Sequence, residues 1–231
     1  NDADGVEISG GGTNNNLVHG NFIGTTFAGN VALGNSFNGV NIRNGARSNK
    51  VGGTVLIQSP TSPLITSRNI ISGNQFNGVA IHGFGTKTNV VLGNFIGTDL
   101  TGTANLGNLM DGVLISGMAK MNLIGGPHLR AGNVISGNGG QGIDILGATA
   151  RNTQIKNNYI GVAVDGVTPL GNANAGIRIN GSSTVIIGGF TSTEGNIIAN
   201  NGVTAGGGGV FIQSGTGVAV LSNSIFGNRG A

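Results

Sequence analysis

Eight carboxylates bound the acid–base chemistry open to this chain: Asp2, Asp4, Glu7, Asp99, Asp111, Asp144, Asp165 and Glu194. Glycoside hydrolysis usually draws on two carboxyl groups about 5–10 Å apart. Asp99 and Asp165 fall in corresponding insertions of the repeat described below and form the best such pair, so they are the candidate catalytic residues. Asp2, Asp4 and Glu7 cluster at one end of the sequence. Asp111 takes a corner position where other units carry Asn38, Asn77 and Gln141, as a turn cap would. Asp144 and Arg178 occupy equivalent positions of neighbouring units and read as an exposed ion pair worth at most about 1 kcal/mol. Calcium-dependent lyase chemistry wants clustered acids beside a basic side chain, a pattern the sequence lacks. The glycine run Gly206–Gly209 lacks the Asp of a calcium-binding nonapeptide. His19, His82 and His128 fall in different columns, which argues against zinc. No nucleophile-elbow motif occurs, and Thr25 and Thr98 alone do not make an ice-binding array. Neither a cofactor nor a metal is expected.

What positions these residues is a short unit written seven times. One column reads Asn, a variable residue, then Ile. Its members are Asn21-Phe22-Ile23, Asn69-Ile70-Ile71, Asn94-Phe95-Ile96, Asn133-Val134-Ile135, Asn158-Tyr159-Ile160, Asn196-Ile197-Ile198 and Asn223-Ser224-Ile225. A second column holds Asn35, Asn74, Asn108, Asn138, Asn172, Asn201 and Asn228, most of them preceded by Gly. A third opens each unit with Gly-(Val/Ile)-x-Ile, at Gly5, Gly39, Gly78, Gly112, Gly142, Gly176 and Gly209. Self-similarity at a fixed period sets the architecture before any other signal.

Apolar residues alternate after each opening, as in Val6 and Ile8 or Val113 and Ile115, the period of a strand with one buried face. A second strand carries Val18, Val51, Val91, Ile124, Ile155, Ile187 and Val220, and a third carries the Ile of the first column. Three strands of three to five residues per unit give an all-β, single parallel β-helix of about seven coils. Right-handed winding is the expected sense. Like residues then stack on like, so the asparagines form amide ladders and occupy left-handed corners. The openings are spaced 34, 39, 34, 30, 34 and 33 residues. Nine-residue insertions 25–33, 98–106 and 162–170 lengthen coils one, three and five. Coils two, four and six extend instead after Val51-Gly52-Gly53, Ile124-Gly125-Gly126 and Ile187-Gly188-Gly189, and 54–68 is the longest loop. Two alternating rows of loops follow.

The pattern Gly78-Val79-x-Ile81 … Asn89-x-Val91-x-Gly93-Asn94-x-Ile96 resembles the parallel β-helix repeats of bacterial cell-surface and secreted proteins, of the pectate-lyase-like right-handed kind. The resemblance covers essentially the whole chain. It implies the fold and leaves the task open, because the same coil serves polysaccharide lyases, pectinase-like hydrolases, adhesins, tailspikes and stalks.

Composition narrows the partners. Charged residues are 8% and apolar residues 38% of the 231. The net charge is +3, with no dense Lys/Arg run, and Trp is absent, so no nucleic-acid partner is expected. No apolar stretch could span a bilayer. Residue 1 is Asn, and both ends fall at nearly one phase of the repeat. Residues 1–231 are therefore expected to form one domain, a segment of a longer solenoid or a stackable fibre unit. The functional expectation is a non-enzymatic structural or adhesive solenoid, extracellular or on a cell surface. Its partners would be copies of itself through the coil ends, or surface polysaccharide. The alternative is a carbohydrate-active enzyme or polysaccharide-binding module that uses the insertion loops.

Overall fold

The computed structural model describes residues 1–54, 56–59, 62–128, 130–204 and 207–230. Val55, Pro60 and Thr61 of the long loop and Gly206 of the glycine run thus lie outside the described residues. The chain winds as a right-handed parallel β-helix of seven coils, with three parallel sheets of seven strands each. The first sheet runs from Val6–Ser9 through Val40–Arg43, Val79–His82, Val113–Ile115, Ile143–Leu146 and Ile177–Ser183 to Val210–Thr216. The second runs from Leu17–Val18 to Ala219–Leu221, and the third from Phe22–Ile23 to Ser224–Phe226. Strands of the second and third sheets are only two or three residues long, shorter than the expected three to five. Corners consume the difference, because the coil must turn again within a few residues.

Register follows the sequence columns, with irregularities confined to the ends of the first-sheet strands Ile143–Leu146, Ile177–Ser183 and Val210–Thr216. Val40 pairs with Val6 and Val79, Val51 with Val18 and Val91, and Ile96 with Ile71 and Ile135. The inward members build one continuous aliphatic core. Ile71, Ile96, Ile135, Ile160 and Ile198 are 0% exposed and Ile23 is 5%, whereas Ile225, on the last rung, is 45%. Burying such side chains contributes about 1.5–3 kcal/mol each.

Both expected asparagine ladders are continuous. From Asn21 to Asn223 each Nδ2 donates to the Oδ1 of the next coil's Asn at 2.8–3.0 Å. From Asn35 to Asn228 the same step measures 2.8–2.9 Å. Each Oδ1 also accepts the backbone N–H of the Asn behind it, as Asn133 does from Asn94. The second Nδ2 hydrogen turns back to a carbonyl of the preceding coil, as Asn133 does to Val91. One short amide thus satisfies itself and a corner N–H together, which Leu or Ser in its place could not do.

Asn15, Asn44, Asn152, Asn157 and Asn200 hold left-handed positions, as the sequence suggested for asparagine, but the members of the two ladders do not. That conformation falls on the preceding residue, and only where the coil turns tightly. Gly20, Gly93, Asn157 and Ser222 have φ of 57–70° in coils with no insertion there, whereas Gly195, at the end of an insertion, has φ −66°. A loop spreads the turn over more residues and relieves the corner.

Two further columns are stacked. Asn16, Asn49, Asn89 and Asn122 form a third, shorter ladder with the same forward polarity. It ends at Thr153 and Val185, whose side chains cannot continue it. At another corner the polarity reverses: Asn77 Nδ2 donates back to Asn38 Oδ1 at 2.9 Å, and Asn38 donates back to Asp4 at 2.9 Å.

Asn133→Ala would strand the forward donors of Asn94 inside the wall. The expected loss is on the order of 3 kcal/mol, against less than about 1 kcal/mol for Asn21→Ala at the exposed end. Urea unfolding of the two variants measures the difference.

Candidate functional site

The insertions in coils one, three and five are hairpins, bridged at Thr25 and Ala32, Thr98 and Asn105, and Val162 and Pro169. Their tips stack, with Leu100 N donating to Gly29 O at 2.8 Å and Val164 N to Gly102 O at 3.0 Å. They fold over the outward side of the third sheet, where Ile70, Phe95 and Val134 form a second small core beside Phe22 and Tyr159. Gly102 permits this close approach. It sits at φ +71°, and a Cβ there would lie 2.7 Å from the Phe95 ring.

Asp99 and Asp165 each tie up their own hairpin. Asp99 accepts from Thr101 Oγ1 at 2.7 and 2.9 Å and from the backbone N–H of Thr103 and Ala104 at 3.1 Å. Burial pushes its carboxyl up, but these hydrogen bonds outweigh it and leave it below the usual value. Asp165 accepts from Thr168 Oγ1 at 2.6 Å and from Val167 and Thr168 N–H at 2.9 Å, and is likewise held low. They stand at different positions of their hairpins, and no hydrogen bond among the described residues joins them. A general acid for glycan chemistry needs the opposite shift.

Asp144 and Arg178 do pair, but not as an exposed couple. The pair is bidentate, at 2.9 and 2.6 Å, and the Asp144 side chain is 1% exposed. Removing one partner of so buried a pair costs several kcal/mol. Asp111 lies near it and accepts the Gln141 N–H at 2.7 Å, confirming the corner role. Burial and the Asp144 charge push its carboxyl up to about 6.

Coiling gathers charges that the sequence keeps apart. Three of the eleven basic residues pair with carboxylates among the described residues: Arg43 with Glu7, Lys156 with Glu194, and Arg178 with Asp144. Four of the rest, Arg47, Lys87, Lys120 and Arg151, share one column at the corner between the first and second sheets. Parallel bridges link Asn14, Arg47, Lys87 and Lys120, and Met121 N donates to Arg151 O at 2.9 Å to extend the column. At about 4.8 Å per coil the four cations span about 14 Å along the axis. Adjacent like charges at that spacing repel by about 1 kcal/mol even in water. The buried neighbours Ala46, Thr86, Ala119 and Ala150 need no charge outside them.

The stripe lines a groove. Two shallow concavities of about 490 and 350 Å³ meet at Phe84, Gly85 and Lys87. Glycines 11, 12 and 45 floor one, and Met118 and Thr149 line the other. Phe84 stands 82% exposed between them. No carboxylate lines either concavity. The sequence reading missed this column because its members are 40, 33 and 31 residues apart. Aligning the residue two places before Asn16, Asn49, Asn89, Asn122 and Thr153 finds it.

No protein-family model matches the sequence, and a search of curated proteins finds no match. A structure search finds the periplasmic alginate epimerase AlgG, as a crystallised point mutant, with TM-score 0.55 and 17% sequence identity. The match covers 95% of this chain and 49% of that one, so the chain spans about half the length of its structural neighbour. The likeness is one of fold: both are β-helices.

Asp111 gives the fold a pH dependence. Its folded value of about 6 lies above the ordinary 3.8, so the folded state holds the proton more tightly. The corner is relaxed below about pH 4, and stability falls as pH rises through 6. Asp111→Asn is expected to stabilise the protein by on the order of 2 kcal/mol at pH 7.5 and to leave it unchanged at pH 4. Denaturation midpoints at the two pH values check this.

Proposed function

We propose that the chain is a non-enzymatic, extracellular or cell-surface β-solenoid that holds a linear acidic polysaccharide along the groove at Arg47, Lys87, Lys120 and Arg151. The observation that carries this reading is the column of four cations at coil spacing, none of them paired with a carboxylate among the described residues. An acidic polysaccharide repeats a fixed negative charge along a stiff chain, and a straight cationic ladder matches it over several rings. Phe84 offers an exposed face for the C–H side of a sugar ring. The groove holds no carboxylate to serve as general acid, which favours binding over turnover. The structural neighbour is a periplasmic protein, which is compatible with the proposed location. No helix among the described residues is long and apolar enough to cross a membrane. This reading gives the expected adhesive role a surface and a ligand class.

Affinity electrophoresis in alginate, polygalacturonate, neutral dextran and single-stranded DNA tests it. The chain is expected to be retarded by the two acidic glycans, less so as salt rises, and not by dextran. Lys87→Gln/Lys120→Gln should weaken retardation about thirtyfold, since each of the two lost contacts is worth on the order of 1 kcal/mol. Equal retardation of variant and parent, or tighter binding to DNA, would overturn the proposal. Release of reducing or unsaturated sugar ends would overturn its non-enzymatic part.

A further inference from the structure

Two more of the cations with no carboxylate partner among the described residues meet elsewhere. Arg68 ends the long loop of coil two, and Arg130 ends the loop of coil four. Both line a pocket of about 200 Å³ on the outward side of the third sheet, with Phe95, Val134, Asn157 and Tyr159. The Arg68 guanidinium lies over the Phe95 ring, 3.8 Å from its centroid, and its Nε donates to Gly93 O at 3.1 Å. That fixes the plane of the fork and leaves its terminal nitrogens without a partner among the described residues. Arg130 is held at φ +65°, a conformation uncommon for a residue with a side chain. No carboxylate pairs with either arginine among the described residues. Burial and the Arg130 charge both press the Arg68 guanidinium below its ordinary value, so the pair is under repulsion that an anion would relieve.

We infer that this pocket binds one hexuronate ring, its carboxylate between Arg68 and Arg130 and its apolar face toward Tyr159 and Val134. A guanidinium fork matches a carboxylate in two parallel hydrogen bonds. An inorganic anion would use the arginines and leave the apolar floor idle, whereas a neutral sugar would use the floor and leave the arginines facing each other. The volume holds about seven waters at ~30 Å³ each, room for one ring rather than a polymer. The residues are all distinct from the corner groove, so this site stands whether or not the groove binds a chain.

Tyr159 is the only tyrosine and the chain has no tryptophan, so intrinsic emission reports on this pocket alone. Equilibrium dialysis with labelled glucuronate, run beside titration of Tyr159 emission, tests the inference. Saturable retention with a matching emission change is expected for the full chain and for Lys87→Gln/Lys120→Gln alike. Arg130→Gln, at an exposed loop position, should weaken both readouts at least tenfold with an unchanged β-type circular dichroism spectrum. No retention at millimolar glucuronate would overturn the inference. Equal retention of glucose would do so too, as would sodium sulfate displacing glucuronate at the same concentration as glucuronate itself.

Discussion

A buried amide that lacks partners costs roughly 1–3 kcal/mol for each idle group. In this protein that cost is avoided only when every coil lies directly over the one before it. Between their end members, the Asn21–Asn223 and Asn35–Asn228 ladders use each Oδ1 twice and each Nδ2 in both directions. A shift of one residue in any coil would break the ladder above and below and turn its apolar rungs outward. Register is therefore fixed along the wall, although most strands of the second and third sheets are only two residues long. Strands so short could not set their own alignment.

Fixed register turns sequence columns into physical stripes, and the stripes differ in kind. Inward columns give the aliphatic core. Corner columns give amide ladders, one of them with reversed polarity that ends on the Asp4 carboxylate. Asp4 suits that end because it accepts from Asn38 and from Asn41 at once. Asp111 interrupts the same column: its N–H still bonds to Asn77, but its carboxyl has no hydrogen to donate back. The fold thus tolerates an acid at that corner at the cost of its ordinary ionisation. Outward columns are free of the packing constraint, and recognition chemistry can collect there.

The coil, its ladders and the alternating insertions were legible in the sequence because stacking repeats the same residue at the same place seven times. Partial columns were not. The ladder from Asn16 to Asn122 stops at Thr153, and the basic column changes between Arg and Lys and has Asn14 in coil one. The second small core hid in the variable position of the Asn-x-Ile motif, where Phe22, Ile70, Phe95, Val134 and Tyr159 share only bulk. Asp99 and Asp165 were legible as acids in matching loops. Their hydrogen bonds to neighbouring Thr side chains and backbone N–H groups depend on hairpin geometry that no spacing reveals.

The stacking of equivalent residues can be measured directly, because the chain has no cysteine. Lys87 and Lys120 are bridged on adjacent coils, about 4.8 Å apart along the axis, within the range a disulfide can close. Arg47 and Lys120 are two coils apart, at about 10 Å, beyond it. On mild oxidation the Lys87→Cys/Lys120→Cys chain is expected to cross-link internally in high yield, and the Arg47→Cys/Lys120→Cys chain to stay open. Equal yields from the two, or an open chain from the first, would contradict the stacked columns on which the groove and the ladders both rest.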